Sequence, residues 1–170
     1  MDSFTSIKID QKTSNYYSLK NGRFNIKLKV SKVICPFGLD EEYKNYVLKF
    51  ELNESNSGHI KCIEDIKQFE ENMKEHFNVK DNEWKSLIHR RENNNIFLEC
   101  KIKKIRNKLL IDASYEDTQS HYLKTIYELE KNKIMDVVLE IPTLWDFRKQ
   151  DEENINKIGL LLNVNKIHVY

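Results

Sequence analysis

Lysines recur at alternate positions in several half-apolar segments: Lys27 and Lys29 in one, Lys49 in the next, Lys101 and Lys103 in a third. A β-strand sends successive side chains to opposite faces, so each set would share a face opposite an apolar one. If the strands are neighbours, the ammonium groups form a stripe that can pair with phosphates and release their counterions. Two acid-free stretches reinforce the pattern, Lys20-Arg23-Lys27-Lys29-Lys32 and Lys101-Lys103-Lys104-Arg106-Lys108. Rings suited to unpaired bases stand at Phe97, Tyr115, Trp145 and Phe147, the last followed by Arg148 and Lys149. Stacking on such a ring contributes about 1–3 kcal/mol per base and tolerates any base. The candidate chemistry is therefore sequence-tolerant binding of a single nucleic-acid strand, with nothing that marks a 2′-hydroxyl and so separates DNA from RNA. Two plainer roles stand beside it. Exposed lysines also keep strand edges soluble, and Trp145, next to Leu144, could be a core ring.

Other chemistries find less support. Glu99 and Lys101, two apart on a strand, share a face, and a metal-dependent nuclease can use such a pair with an upstream aspartate. No aspartate stands where a neighbouring hairpin strand would present it. Histidines 59, 76, 89, 121 and 168 are scattered, and Asp117 with His121 lacks a second pair to complete a metal site. No serine or cysteine has a base at useful spacing. Only four glycines occur, which excludes glycine-rich phosphate loops. The expectation is a protein without catalytic residues, metal or cofactor. The competing class is a protein-interaction module whose helices present Trp84, Tyr122 and Tyr127 to a partner chain.

A chain of 170 residues suits one domain with a substantial core. Charged residues make up 32% and hydrophobic ones 39%, and no segment reaches membrane-spanning length. Net charge is +1, so the distribution of charge carries the argument: acids gather at Glu64, Asp65, Glu70, Glu71 and Glu75 and in Asp151-Glu152-Glu153. The N-terminus lacks a secretory pattern, and Cys35, Cys62 and Cys100 form no C-x-x-C pair. Buried free thiols in a reducing, intracellular compartment are expected.

The elements that must position these residues are mainly strands. The segment 1–22 is polar, with a short strand from Phe4 to Ile9. A strand from Arg23 to Val33 turns Phe24, Ile26, Leu28 and Val30 inward and ends at Cys35-Pro36-Phe37-Gly38; a second runs from Tyr46 to Leu52. Apolar residues at helical spacing predict a helix from Ile60 to Phe77, and Asp81 could cap another through Trp84, Leu87 and Ile88 to Arg91. Strands over 95–105 and 108–114 meet in a tight hairpin at Arg106-Asn107, and Ser120 could start a helix to Lys131. A strand from Ile134 to Ile141 stops before Pro142, leaving Trp145 to Lys149 in a loop. From Ile158 to Tyr170 the alternation of Leu160, Leu162 and Val164 resumes out of phase at Ile167 and Val169, the mark of a β-bulge in a curved strand. This order predicts an α+β fold: an antiparallel five- or six-stranded barrel decorated with about three helices.

The Pro36-Phe37-Gly38 turn between two strands, the Glu83-Trp84-Lys85-Ser86-Leu87-Ile88 segment, the Phe97–Lys101 strand and the ending Trp145 … Gly159–Val164 … Ile167-His168-Val169 carry a resemblance. The chain resembles the OB-fold single-stranded DNA-binding proteins of large nucleo-cytoplasmic DNA viruses, a group similar to those of short-tailed phages. The resemblance covers roughly 23–170. It implies one OB domain over that range, with helical insertions at about 60–91 and 120–131. It also implies single-strand coating during replication and recombination, contact with a DNA polymerase, and self-association as a dimer or larger oligomer. Such proteins often end in an acidic tail; this sequence ends in a strand at His168-Val169-Tyr170, so tail-mediated recruitment is not expected. The residues expected to contact DNA are Lys27, Lys29, Lys49, Phe97, Lys101, Lys103, Arg106, Lys108, Trp145, Phe147, Arg148 and Lys149.

Overall fold

A computed structural model describes residues 6–42, 45–106, 108–109, 111–115, 129–150 and 155–170. In chain order the strands are β1 (Ile7–Thr13), β2 (Tyr16–Asn21), β3 (Lys27–Cys35), β4 (Asp40–Glu42) and β5 (Asn45–Leu52), followed by helix α1 (Ser57–His76). Then come β6 (Trp84–Lys85), β7 (Ile88–Arg90), β8 (Ile96–Ile102), β9 (Lys104–Ile105), β10 (Lys108–Leu109), β11 (Asp112–Tyr115), β12 (Lys133–Asp146) and β13 (Ile158–Val169). Strands β12, β3, β5, β8 and β13 pair in that order, and β13 returns to β12, closing a five-stranded barrel. All its pairings are antiparallel except β8 with β13, which is parallel. This is the OB topology.

Three bulges let the barrel close, and each has a cause in the sequence. In β3, Ser31 and Lys32 together oppose one residue of β12; Lys32 has φ of 56°, and its N–H donates to Asp136 Oδ1 at 2.9 Å. The extra residue lets both Val30 and Val33 point inward. In β13 the expected phase slip falls at Asn165, between the pairs Val138↔Lys166 and Leu139↔Val164, with Leu160, Leu162, Val164, Ile167 and Val169 all buried. The third, in β12, overturns the expected end before Pro142. The ladder with β13 shifts between Glu140 and Thr143, so the proline sits where no donor is needed. Past it the strand leaves β3 and pairs with β2, aligning Trp145 with Tyr16.

Helix α1 forms as the 3.6-residue pattern predicts. Asn56 Oδ1 caps it by accepting from the Gly58 and His59 N–H groups, and Ile63, Ile66, Phe69 and Met73 join the barrel core with Phe50 and Leu98. The expected second helix does not form. Asp81–Glu83 is one 3-10 turn, after which Trp84 and Lys85 pair with Ile158 and Gly159, and Ile88–Arg90 pairs with Ile96–Leu98. Buried Glu70 holds the segment open by accepting from Leu87 N–H at 2.6 Å and Ser86 Oγ at 2.8 Å. Tertiary bonding thus overrides helical propensity. The polar N-terminal segment contains a hairpin, β1–β2, rather than one short strand. The first barrel strand begins at Lys27, which leaves Phe24 exposed at 77% instead of inward. The helix expected over 120–131 lies mostly outside the described residues, as do Tyr122 and Tyr127; among the described residues α1 is the one α-helix. Trp84 is a buried strand residue, not part of a helical docking face.

Cys35, Cys62 and Cys100 are buried free thiols, as expected. Burial raises all three above the ordinary thiol range, Cys62 to about 12 with Asp65 adding to the rise. No described helix is long and apolar enough to cross a membrane.

Candidate nucleic-acid interface

Register fixes which side chains share the outside of the barrel. Lys49 lies opposite Glu99, and Val47 opposite Lys101, on β5 and β8. Lys101 is level with Asn163, Asn163 with Glu140, and Glu140 with Lys27, so one row crosses four strands from Lys101 to Lys27. Glu140 interrupts it. Its carboxylate accepts from Asn165 Nδ2 at 2.6 Å and Asn25 Nδ2 at 3.3 Å and pairs with Lys27 Nζ at 3.7 Å. Lys49 and Lys101 therefore belong to one face, and Lys27 and Lys29 to another.

The β5–β8 face carries the fuller set of groups. A groove of about 150 Å³ is walled by Lys85, His89, Glu99, Lys101 and Trp145. Trp145 is on the outer side of β12 and half-buried, while its neighbour Leu144 points into the core. Gly159 makes room for the indole: a Cβ there would lie 2.8 Å from Trp145 Cζ2. Phe147 stands 6.0 Å from Trp145 and 5.6 Å from Tyr16, centroid to centroid, which forms a row of three rings. At the other end of the face Arg91 lies between Phe37 and Phe97, its guanidinium 4.9 and 4.8 Å from the ring centres. Phe97 itself is buried, so Phe37 and Arg91 are the exposed members of that stack.

Charge on this face is partly committed. Lys49 pairs with Glu99 at 3.8 Å, and Lys104 lies 5.1 Å from the Tyr46 ring centre. Burial holds His89 below the usual histidine range; Glu99 opposes the shift, and Lys85 and Lys49 add to it. Arg148 faces inward to protein partners: Asp146 Oδ2 at 2.8 Å, Glu83 at 3.6 Å and the Phe77 carbonyl at 3.4 Å. Donation to Asp146 chiefly raises the Arg148 pKa; partial burial pushes the Asp146 carboxyl up, but the bonds it accepts from Arg148 outweigh this and hold it below the usual carboxylate range. This cluster braces the β12–β13 link, and Lys149 next to it is exposed. Lys103, Arg106 and Lys108 are exposed along the β9–β10 hairpin, which pairs with no barrel strand among the described residues. Among the described residues no three His, Cys, Asp or Glu side chains come together as a metal site, and Glu99 faces Lys49 instead.

The structure thus brings together Lys49, Lys101, Trp145 and Phe147 from the sequence-based set and adds Tyr16, Phe37, Lys85, His89 and Arg91. Lys85, His89 and Arg91 fall in the segment whose pattern reads as a helix, and Tyr16 in one that reads as irregular. The Phe37 turn was visible, but its position over β8 depends on long-range pairing.

Solved structures of similar fold exist. The single-stranded DNA-binding protein of bacteriophage Enc34, in complex with single-stranded DNA, aligns with a TM-score of 0.53 at 17% identity over 98% of this chain and 96% of that one. Its C-terminal truncation gives 0.54 at 18% identity over 96% and 94%. The single-stranded DNA-binding protein gp2.5 of bacteriophage T7 gives 0.57 at 5% identity over 85% and 86%. At these identities the likeness shows the fold. No family model matches the sequence, and neither does any curated protein.

Proposed function

We propose that this protein binds single-stranded DNA without strong sequence preference, across the outer face of β5 and β8, and without catalysis. One observation carries the reading: cations on the face of the second and third strands of an OB barrel share a groove with Trp145 of the fourth strand, whose ring begins a row that continues through Phe147 at the fourth–fifth strand loop to Tyr16 of β2. That is where OB folds take up oligonucleotides. Tyr16, Phe147 and Trp145 form a ring cluster at the β12–β13 end, and Phe37 with Arg91 offers a platform at the β3–β5 end. Lys85, Lys101 and Lys149 stand where phosphates between stacked bases would pass, and Lys49 joins them once DNA competes with Glu99. The similar folds named as single-stranded DNA-binding proteins support the choice of ligand. Action inside the cell in replication, recombination or repair, alongside a polymerase and with self-association, belongs to the same proposal, as does kinship with the proteins of large nucleo-cytoplasmic DNA viruses.

A labelled oligothymidine mobility assay, run with and without magnesium, tests it. Retardation that weakens steeply with salt and leaves the strand intact is expected. No retardation at low salt would overturn the proposal, and magnesium-dependent cleavage lost in Glu99→Gln would replace it with a nuclease.

A further inference from the structure

A second, larger cleft of about 940 Å³ lies between β3 and the first turns of α1. Its β3 wall is unusual. Consecutive residues Ile26 to Lys29 line it although their side chains alternate, so the strand presents its edge rather than one face. Strand β5 pairs with β3 only at Ile34↔Glu51 and then departs for α1, leaving the start of β3 with no strand partner on that side among the described residues.

Two hydrogen bonds show which main-chain groups point into the cleft. The Ile26 carbonyl accepts from Ile141 N–H, and so faces β12. The Ser31 carbonyl faces the other way, accepting from His59 Nε2 at 2.8 Å; Asn53 N–H donates to the same ring's Nδ1 at 2.9 Å, which fixes the tautomer. Strand alternation then directs the N–H and C=O groups of Lys27 and Lys29 into the cleft, away from β12.

We propose that this edge accepts an extended acidic polypeptide segment as an added strand. Arg23, Lys27, Lys29 and Lys61 line the cleft against one acid, Asp65, and Phe24, exposed at 77%, offers an apolar contact to alternate residues of the incoming segment. Lysines alone can protect an edge from pairing; here they border a cleft with an open ring. A second copy of the same edge would set Lys27 and Lys29 against their own like charges. A nucleic acid would answer the cations but not the alternating main-chain donors and acceptors. The site is separate from the β5–β8 face, since Glu140 stands between them, so its success or failure is independent of the DNA proposal.

The test uses a fluorescent peptide alternating glutamate and valine, the same peptide N-methylated at alternate residues, and a polyglutamate of equal charge. The alternating peptide should bind, and N-methylation along one edge should weaken it at least tenfold. Lys29→Pro removes a cleft-facing donor together with the ammonium and should have a comparable effect, whereas Lys29→Ala, which removes the ammonium alone, should produce a smaller, salt-sensitive loss. Equal binding of all three probes, or no binding of any, overturns the proposal. So does displacement of the peptide by oligothymidine together with loss of DNA binding in Lys29→Pro, which would assign the cleft to DNA.

Discussion

Replacing Trp145 with alanine tests the interface at its most informative ring. The indole lies on the Gly159 backbone, edges toward Phe147, and forms one wall of the groove shared with Lys85 and Lys101. Losing one stacked base removes about 1–3 kcal/mol of binding energy. Since about 1.4 kcal/mol is tenfold in affinity, the dissociation constant should rise roughly 5- to 150-fold. The effect on folding is smaller relative to its reserve. Truncating a fully buried tryptophan costs about 3–5 kcal/mol, so a half-buried one costs roughly 2. A domain holds about 5–15 kcal/mol, so the variant should stay folded. Fluorescence anisotropy of labelled oligothymidine at one fixed ionic strength, with thermal unfolding followed in parallel, separates the two effects. Trp145→Phe should keep most of the affinity. An intact fold with unchanged affinity would refute the stacking role, and outright unfolding would show that the indole serves the core.

Three further outcomes follow from the geometry. Lys101→Gln should flatten the log–log salt dependence of oligothymidine affinity by about 0.7, the contribution of one phosphate contact on a single strand; an unchanged slope would remove Lys101 from the path. Gly159→Ala places a Cβ 2.8 Å from the indole and 2.9 Å from the Lys85 carbonyl, so it should destabilise by about 1–3 kcal/mol and weaken DNA binding together; a neutral result in both assays would contradict the close packing. Burial raises the Glu70 pKa, with Leu87, Ser86 and Lys74 opposing. The native state then holds that proton more readily than the unfolded chain. The resulting stabilisation is complete below the ordinary carboxyl range and is lost as pH rises through the raised value. Denaturant titrations of the native protein and Glu70→Gln should therefore diverge with pH across that window, and parallel curves would refute the shift.

Much of the barrel could be read from alternation alone. The slipped phase around Asn165 located a bulge correctly, and the strands containing Leu48 and Leu98 declared their inner faces, because a sheet buried on one side leaves a period of two. The failures have physical causes of their own. Trp84-Lys85-Ser86-Leu87-Ile88 has helical spacing, but Glu70, distant in sequence, takes the Leu87 N–H, and β13 takes the Trp84 strand. Pro142 signals a strand end locally, yet a bulge at a change of strand partner accommodates it. For the interface, composition revealed the cations and rings but not their convergence. Lys27 and Lys101 look equivalent in sequence, and closure of the barrel puts Glu140 between them. Arg148 looks like a phosphate ligand beside Phe147, but it turns back onto its neighbour Asp146, and the fold adds the distant Glu83.

Amide chemical-shift mapping during titration with oligothymidine locates the binding face directly. The largest shifts should cluster at Tyr16, Phe37, Lys85 to Arg91, Lys101 and Trp145 to Lys149, with Phe24 to Lys29 and Lys61 little changed. Shifts concentrated instead around Phe24, Lys29 and Lys61, with the β5–β8 face silent, would contradict the proposed interface.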